Sequence, residues 1–150
     1  MEIRRALATE AGSLAAVWLR SREASVPWVP PTVRSHEEVL RWFEDVVLPS
    51  SDVWVADHHG EPVALMVVDD EWIRQLYVEP TSTGKGIGGA LLTRAVRRRP
   101  EGLRLWTFQS NRGSRRVYEA HGFVATISTA GDNDEHAPDV SYEWRPAGRR

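Results

Sequence analysis

Four glycines in the middle of the chain have a spacing that could bind an anion. They follow the apolar segment 72–78 and open an amphipathic segment that extends to Arg98. A strand, a glycine-rich turn and a helix in this order direct free N–H groups at an anion, because the first N–H groups of a helix have no partners within it. Glycine also lets a phosphate approach the backbone closely. The sequence therefore predicts a phosphate-binding loop containing Gly84, Gly86, Gly88 and Gly89.

Three phosphate-binding patterns compete for this loop. A Walker loop requires Ser or Thr after its lysine, and Gly86 follows Lys85, which excludes that pattern. Residues 84–89 match the dinucleotide fingerprint G-x-G-x-x-G, but the acid expected about 20 residues later, at the end of the next strand, is missing. The third pattern is [Q/R]-x-x-G-x-[G/A], the pyrophosphate loop of the GNAT N-acetyltransferase superfamily. Residues 83–88 resemble it, with Thr83 in place of Gln or Arg.

A second motif lies downstream, in the order that this superfamily requires. Residues 111–123, NRGSRRVYEAHGF, resemble the GNAT signature N-x-x-[AS]-x-x-x-Y-E-x-x-G-F. They follow the predicted strand after the glycine-loop helix, and the order of predicted elements resembles the family across nearly the whole chain. By this resemblance the chain is identified as a member of the GNAT superfamily of N-acetyltransferases.

The resemblance implies acetyl-CoA as the acetyl donor and assigns its contacts. The strand before the glycine loop would diverge from its neighbour, and its backbone would hold the pantetheine arm in the gap, with the Val78 N–H polarising the thioester carbonyl. Asn111 would cap its helix and contact the same arm, and the loop N–H groups would bind the pyrophosphate. The implied cofactor-binding residues are Leu76, Tyr77, Val78, Thr83, Gly84, Lys85, Gly86, Ile87, Gly88, Gly89 and Asn111.

The resemblance also implies that Tyr118 protonates the departing thiolate. A phenol with a pKa of about 10 is protonated at neutral pH and can donate to a thiolate whose acid has a pKa of about 8.5. An alkyl amine must itself lose a proton before it attacks. Many relatives carry an acid in the middle of the strand, where this chain has Arg74 and Gln75. The base is therefore left open between Glu71, Glu79 and a chain of water molecules.

Composition restricts the chemistry further. The chain has 150 residues, enough for the single domain predicted over 1–150, and a net charge of −2, which favours neither nucleic acid nor membrane as partner. It has no cysteine, which excludes disulfides, thiolate zinc sites and a cysteine nucleophile, so acyl transfer would be direct. The pair His58-His59 lies in a predicted turn without supporting carboxylates, and no metal site is predicted. The N-terminus lacks the apolar core of a signal peptide, so a cytoplasmic location is expected.

The elements that must position these residues can be predicted from periodicity and capping. Thr9 is the predicted N-cap of the first helix, and Ser35 with Glu38 forms a capping box before a second helix with Val46 in its buried stripe. The order is βααβββαβαββ, an α/β (α+β) fold with a mixed, mostly antiparallel sheet and helices on both faces. The predicted strands are 2–7, 53–57, 63–69, 72–78, 103–108, 123–129 and 140–144; the tail 145–150 is expected to fray.

The leading hypothesis is direct acetyl transfer from acetyl-CoA to a primary amine, expected to be a small molecule, with a peptide amine also open. Trp28, Trp72 and Trp106 are candidates for an acceptor pocket, and the polar loop 131–139 could supply carboxylates to a cationic substrate. The alternatives are a non-catalytic acyl-CoA-binding module and a nucleotide-binding protein. A homodimer is common in the fold, and the sequence leaves it open.

Overall fold

Seven strands form one sheet in the order β1-β2-β3-β4-β5-β7-β6. In this computed structural model, which describes residues 1–146, all neighbouring strands pair antiparallel except β4 and β5, which run parallel. The strands are β1 Glu2–Arg5, β2 Asp52–His58, β3 Glu61–Asp69, β4 Trp72–Val78, β5 Leu103–Phe108, β6 Val124–Ser128 and β7 Asp139–Trp144. The mixed, mostly antiparallel sheet predicted from the sequence is confirmed. A dinucleotide-binding domain would need a mostly parallel sheet instead.

Helices cover both faces of this sheet, as predicted. They are α1 Ala11–Ala24, α2 His36–Trp42, α3 Leu48–Ser50, α4 Ile87–Arg98 and α5 Arg112–Ala120, and a π segment, Phe43–Val47, joins α2 to α3. Since α2, the π segment and α3 are continuous, the order βααβββαβαββ is confirmed. The predicted fraying of the tail falls partly on residues 147–150, which lie outside the described part of the chain.

The two faces of the sheet bury separate apolar clusters, because successive strand residues point to opposite sides. In β2, Val53 and Val55 pack with α1 and α2, whereas Trp54 and Ala56 pack with α4 and α5. The cluster under α4 and α5 also contains Tyr118. The predicted catalytic tyrosine is therefore anchored in the core.

Two sequence predictions about the helices are wrong. Thr9 is not an N-cap: a 3-10 turn, Ala8–Glu10, precedes α1, and the carboxylate of Glu10 accepts the N–H of Leu7 at 2.7 Å. Val46 is 52% exposed, although it fits the apolar period of an ideal helix. The π segment places an extra residue in that turn and rotates the side chains that follow. The predicted capping box between Ser35 and Glu38 is confirmed.

Candidate active site

The parallel strands β4 and β5 separate soon after they begin. They pair only at Trp72 with Arg104 and at Ile73 with Leu105, and among the described residues no strand pairs with the β5-facing edge of β4 beyond Ile73. On its other edge β5 pairs with β7 along its full length, from Leu103 to Phe108. The backbone N–H and C=O groups along an unpaired strand edge can form hydrogen bonds with a ligand or with another strand. The divergence implied by the resemblance is therefore present.

A β-bulge lies at the point of divergence. On the β3 side, Gln75 pairs with Val67 and Ile73 pairs with Val68, so Arg74 is the extra residue between them. A bulge bends its strand and redirects the following side chains. Arg74 itself is exposed, with its guanidinium carbon 5.2 Å from the centre of the Trp72 ring.

The separation opens a cleft of about 700 Å³. Its walls come from β4, β5, the glycine loop, the start of α4, one face of α5 and the end of α1. The glycine loop lies at one end, and Ser21, Ser25 and Val29 lie in the wall contributed by α1 and the segment after it. Both GNAT-like motifs therefore contribute to one cavity.

Free N–H groups line the loop end of this cleft. Gly84 and Gly86 both have φ of 77°, a left-handed conformation that glycine adopts without strain. The first hydrogen bond of α4 runs from the Ala90 N–H to the Gly86 carbonyl, at 3.0 Å. The N–H groups of Ile87, Gly88 and Gly89 consequently have no acceptor within the helix, and the helix dipole adds positive potential there. This end of the cleft suits a phosphate.

The other loop residues divide between the cleft and its outer side. Thr83 lines the cleft, and its hydroxyl donates to the Pro80 carbonyl at 3.1 Å. Lys85 is exposed and is not among the residues that line the cleft. Leu76, Tyr77 and Val78 all line it from β4, and Asn111 lines it while its side chain caps α5 by accepting the Ser114 N–H at 3.3 Å.

Tyr118 lines the cleft from α5 and is 7% exposed. Its ring lies 5.9 Å from the ring of Tyr142 and 6.1 Å from that of Phe123. The Tyr142 hydroxyl donates to Glu119 at 2.6 Å and accepts from the Arg115 Nε at 2.9 Å, which fixes the ring behind Tyr118. Burial, reinforced by the neighbouring phenols, raises the pKa of Tyr118 above its ordinary value. The phenol is therefore held in its protonated form.

A hydrogen bond between α1 and β4 fixes the cleft wall on the α1 side of the sheet. The Trp18 Nε1 donates to the Gln75 Oε1 at 3.0 Å, and the Trp18 ring lies 5.8 Å from that of Tyr77. Gln75, one of the two residues in the strand segment where the resemblance implies an acid, accepts a hydrogen bond from a tryptophan.

Arg22 is buried beside this wall, only 5% exposed. It donates to the Tyr77 hydroxyl at 3.3 Å and to the Pro30 carbonyl at 3.0 Å, and it pairs with Glu135 at 3.5 Å. Its guanidinium carbon lies 5.7 Å from the centre of the Phe108 ring. Arg22 thus connects α1, the proline-rich loop, β4, β5 and the polar loop 131–138.

Sequence reasoning missed Arg22, and a signal for it was present. It follows Trp18 by four residues, so it lies on the buried stripe of α1, where an arginine needs partners. The predicted role of the polar loop stays a prediction, but one of its acids, Glu135, is fixed beside the cleft by Arg22.

The two candidate acids lie in different places. Glu71 precedes β4, at the end away from the divergence, and pairs with Arg104 at 3.5 Å. Glu79 follows β4 directly, and both of its carboxylate oxygens accept from Arg20, at 2.5 and 2.9 Å. Within the described part of the chain, no Asp or Glu lines the cleft. Neither Glu71 nor Glu79 therefore lies in the cleft wall that contains Tyr118.

The three predicted pocket tryptophans also separate. Trp106 lines the cleft and is 42% exposed. Trp28 is 61% exposed and lies outside the cleft wall, where its neighbour Val29 is buried instead. Trp72 lies where β4 is still paired with β5, and it too is outside the wall.

Comparison with known proteins identifies the family. The family model described as an acetyltransferase (GNAT) domain matches residues 49–125. The chain belongs to the GNAT acetyltransferase family. The peptidyl-lysine N-acetyltransferase YjaB of Salmonella typhimurium is 31% identical to this GNAT protein over 128 residues, 84% of this chain and 85% of YjaB. YiaC of Escherichia coli, also named a peptidyl-lysine N-acetyltransferase, is 23% identical over 95% of each chain.

Solved structures share the GNAT fold. The solution structure of apo YjaB from Escherichia coli aligns with a TM-score of 0.76 and 24% identity, over 97% of this chain and 98% of that one. YncA from Salmonella typhimurium, solved with acetyl-CoA, aligns with a TM-score of 0.73 and 19% identity, over 99% of this chain and 96% of that one. This GNAT protein is an acetyltransferase enzyme, and acetyl-CoA is its acetyl donor.

The remaining predictions about the GNAT chain concern its location, its domain boundary and its oligomeric state. No helix in the described residues is long and apolar enough to cross a membrane. The cytoplasmic location, the single-domain boundary and a homodimer stay predictions.

Proposed function

We propose that this GNAT acetyltransferase transfers the acetyl group of acetyl-CoA directly to the side-chain amine of a lysine in a peptide or protein. The observation that carries the proposal is the divergence of β4 from β5 with Tyr118 in the wall of the resulting cleft. The lysine acceptor is supported by the relatives YjaB and YiaC, which are both named peptidyl-lysine N-acetyltransferases. A small-molecule amine, the acceptor expected from the sequence, is the competing candidate.

The cleft fits acetyl-CoA in two respects. Along the unpaired edge of β4, Leu76 and Val78 offer backbone groups to the amides of the pantetheine arm, as a neighbouring strand would, whereas the backbone of Tyr77 faces β3. The free N–H groups at the start of α4 offer donors to the pyrophosphate, and each hydrogen bond to a charged oxygen contributes about 1.5–3 kcal/mol. Asn111, whose side chain caps α5, lines the cleft and would contact the arm.

Acetyl-CoA supplies a thioester whose acyl carbon accepts an amine. In the proposed mechanism the Val78 N–H polarises the acyl carbonyl, and Tyr118 donates its hydroxyl proton to the departing sulfur. Burial raises the pKa of Tyr118, so the phenol is the protonated donor at neutral pH. The same apolar surroundings disfavour a free thiolate and so raise the pKa of the departing thiol, which offsets the raised pKa of the phenol.

The acceptor enters the cleft at the end lined by Ser21, Ser25 and Phe108, on the α1 face of the sheet, whereas α4 lies on the other face. Glu79 does not line the cleft, and both of its carboxylate oxygens are engaged by Arg20. Since no carboxylate among the described residues lines the cleft, we infer that the lysine loses its proton to solvent before the amine enters. The walls of the cleft are partly apolar, and apolar surroundings favour the neutral amine over the ammonium ion.

The test is a panel of amines assayed by release of free thiol from acetyl-CoA, with the acetylated product verified by mass spectrometry. The panel contains lysine peptides, matched peptides with arginine in place of lysine, free amino acids, polyamines, aminoglycosides and arylamines. Thiol release with lysine peptides and not with their arginine counterparts is expected. Release only with small amines would overturn the lysine proposal and leave the acetyltransferase assignment unchanged.

A further inference from the structure

Lys85 is the only lysine of the chain, and the other eighteen of its nineteen lysine and arginine residues are arginines. It is exposed and stands between Gly84 and Gly86, both in the left-handed conformation. A Cβ added at either glycine would meet no atom within 4 Å, so open space surrounds the backbone on both sides of the lysine. Lys85 forms no ion pair with any described residue. Its amine is therefore a sterically open acceptor.

We propose that Lys85 is itself acetylated by a second copy of this enzyme, and that the modification weakens binding of acetyl-CoA. The proposal rests on the lysine-acetylating activity proposed above. Because Lys85 does not line the cleft of its own chain, its amine meets the reacting thioester of another copy. The neighbouring glycines present the lysine without flanking side chains, which lets the narrow loop enter the acceptor end of a partner's cleft.

The chemistry needs no reactant beyond acetyl-CoA. The neutral Nζ of Lys85 forms a bond to the acyl carbon, and the bond from that carbon to sulfur breaks. Tyr118 gives its hydroxyl proton to the departing sulfur. The proton that the attacking nitrogen releases then restores the Tyr118 hydroxyl. The products are an acetylated Lys85 and free coenzyme A.

The modification removes a positive charge from the loop that faces the phosphates. Lys85 is the only basic residue of the loop 83–89, and its acetylated form is neutral. The backbone N–H groups at the start of α4 are unaffected, so binding is weakened rather than abolished. The loss of one exposed charge predicts a rise of about two- to five-fold in the KM for acetyl-CoA. Lys85→Gln, which mimics the neutral product, should show this rise relative to the charge-retaining Lys85→Arg.

The experiment follows acetylation of Lys85 by peptide mass spectrometry during incubation with acetyl-CoA. A matched control variant, Lys85→Arg combined with Arg97→Lys, moves the single lysine to an exposed position on α4. Tyr118→Phe separates enzymatic from uncatalysed acetylation. A lysine peptide is included in each reaction as a reference acceptor. We expect Lys85 to be modified at an initial rate that rises with the square of enzyme concentration, at least about ten-fold faster than in Tyr118→Phe.

The outcomes distinguish this inference from the proposed function. An acetylated reference peptide with unmodified Lys85 would overturn the inference and leave the lysine activity in place. Equal modification of Lys85 and of the lysine at position 97 would also overturn it, since accessibility alone would then explain the reaction. If neither peptide nor Lys85 is acetylated, the lysine activity itself fails. An equal KM for acetyl-CoA in Lys85→Gln and Lys85→Arg would overturn the regulatory part.

Discussion

The imidazole ring of His121 occupies the space into which a side chain on Gly89 would project. A Cβ on Gly89 would come within 2.7 Å of both Cε1 and Nε2 of that ring. The ring is held in place by its Nδ1, which donates to the Val117 carbonyl at 2.8 Å. The glycine therefore permits close packing of α4 against α5, the two helices that supply the phosphate-binding end of the cleft and Tyr118.

Two adjacent glycines of α4 should respond differently to alanine. Gly88→Ala adds a Cβ at an ordinary 3.9 Å from the Val78 Cγ2, and alanine favours a helix by up to about 1 kcal/mol over glycine. Gly89→Ala must displace the His121 ring and lose its hydrogen bond, at a cost of about 1 kcal/mol. Both substitutions gain the same helix propensity, so urea unfolding should show Gly89→Ala less stable than Gly88→Ala by about 1 kcal/mol, the cost of the lost His121 contact. In a His121→Ala background this difference should disappear; equal stability already in the native background would contradict the packing argument.

Arg22→Met should impair the acceptor side of the cleft more than the acetyl-CoA side. The variant removes the hydrogen bonds to Tyr77 and Pro30 and the ion pair with Glu135. The proline-rich loop and the polar loop 131–138 then lose the side chain that connects them to the cleft wall. Loss of one charged hydrogen bond, about 1.5 kcal/mol, predicts a rise of about ten-fold in the KM for a lysine peptide. Steady-state kinetics with each substrate varied separately gives the two KM values. Arg22→Lys keeps the charge without the guanidinium fork and should fall between Arg22→Met and the native enzyme; parallel changes in both KM values would indicate general misfolding instead.

The pH dependence should follow the acceptor and not a carboxylate of the enzyme. The neutral amine is the reactive form, so kcat/KM for a lysine peptide should rise about ten-fold per pH unit between about pH 6 and about pH 9. Burial raises the pKa of Tyr118, so the donor proton is retained as pH rises through this range and no descending limb is expected. An ascending limb that levels near pH 6 to 7 would instead reveal a general base on the enzyme.

Much of the fold could be predicted because its signals are local. The capping box at Ser35 and Glu38 and the glycine Gly122 after α5, with φ of 87°, depend on residues within one turn. The bounds of β4 and β5 follow from apolar segments ended by turn residues. The predicted burial of Val46 is wrong because the π segment depends on the packing of the whole helix, and the spacing of apolar residues in the sequence does not indicate it.

The site was predictable only in part, because its shape depends on contacts distant in sequence. The two motifs located the loop and Tyr118, whereas the bulge at Arg74 depends on how β4 pairs with β3. The connection of Arg22 with Glu135 joins residues 113 positions apart, and no local pattern predicts it. Trp28 is an error of the opposite kind, because its hydrophobic side chain indicates a pocket but the structure leaves it exposed.

The central claim is that Tyr118 donates the proton to the departing sulfur, and the turnover of Tyr118→Phe tests it most directly. Tyr142→Phe is the matched control, because it removes a phenol hydroxyl from the neighbouring ring, which does not line the cleft. Tyr118→Phe should lower kcat by roughly 10- to 10⁴-fold while acetyl-CoA still binds, and Tyr142→Phe should mainly lower stability. A kcat for Tyr118→Phe equal to that of the native enzyme would remove Tyr118 from the mechanism.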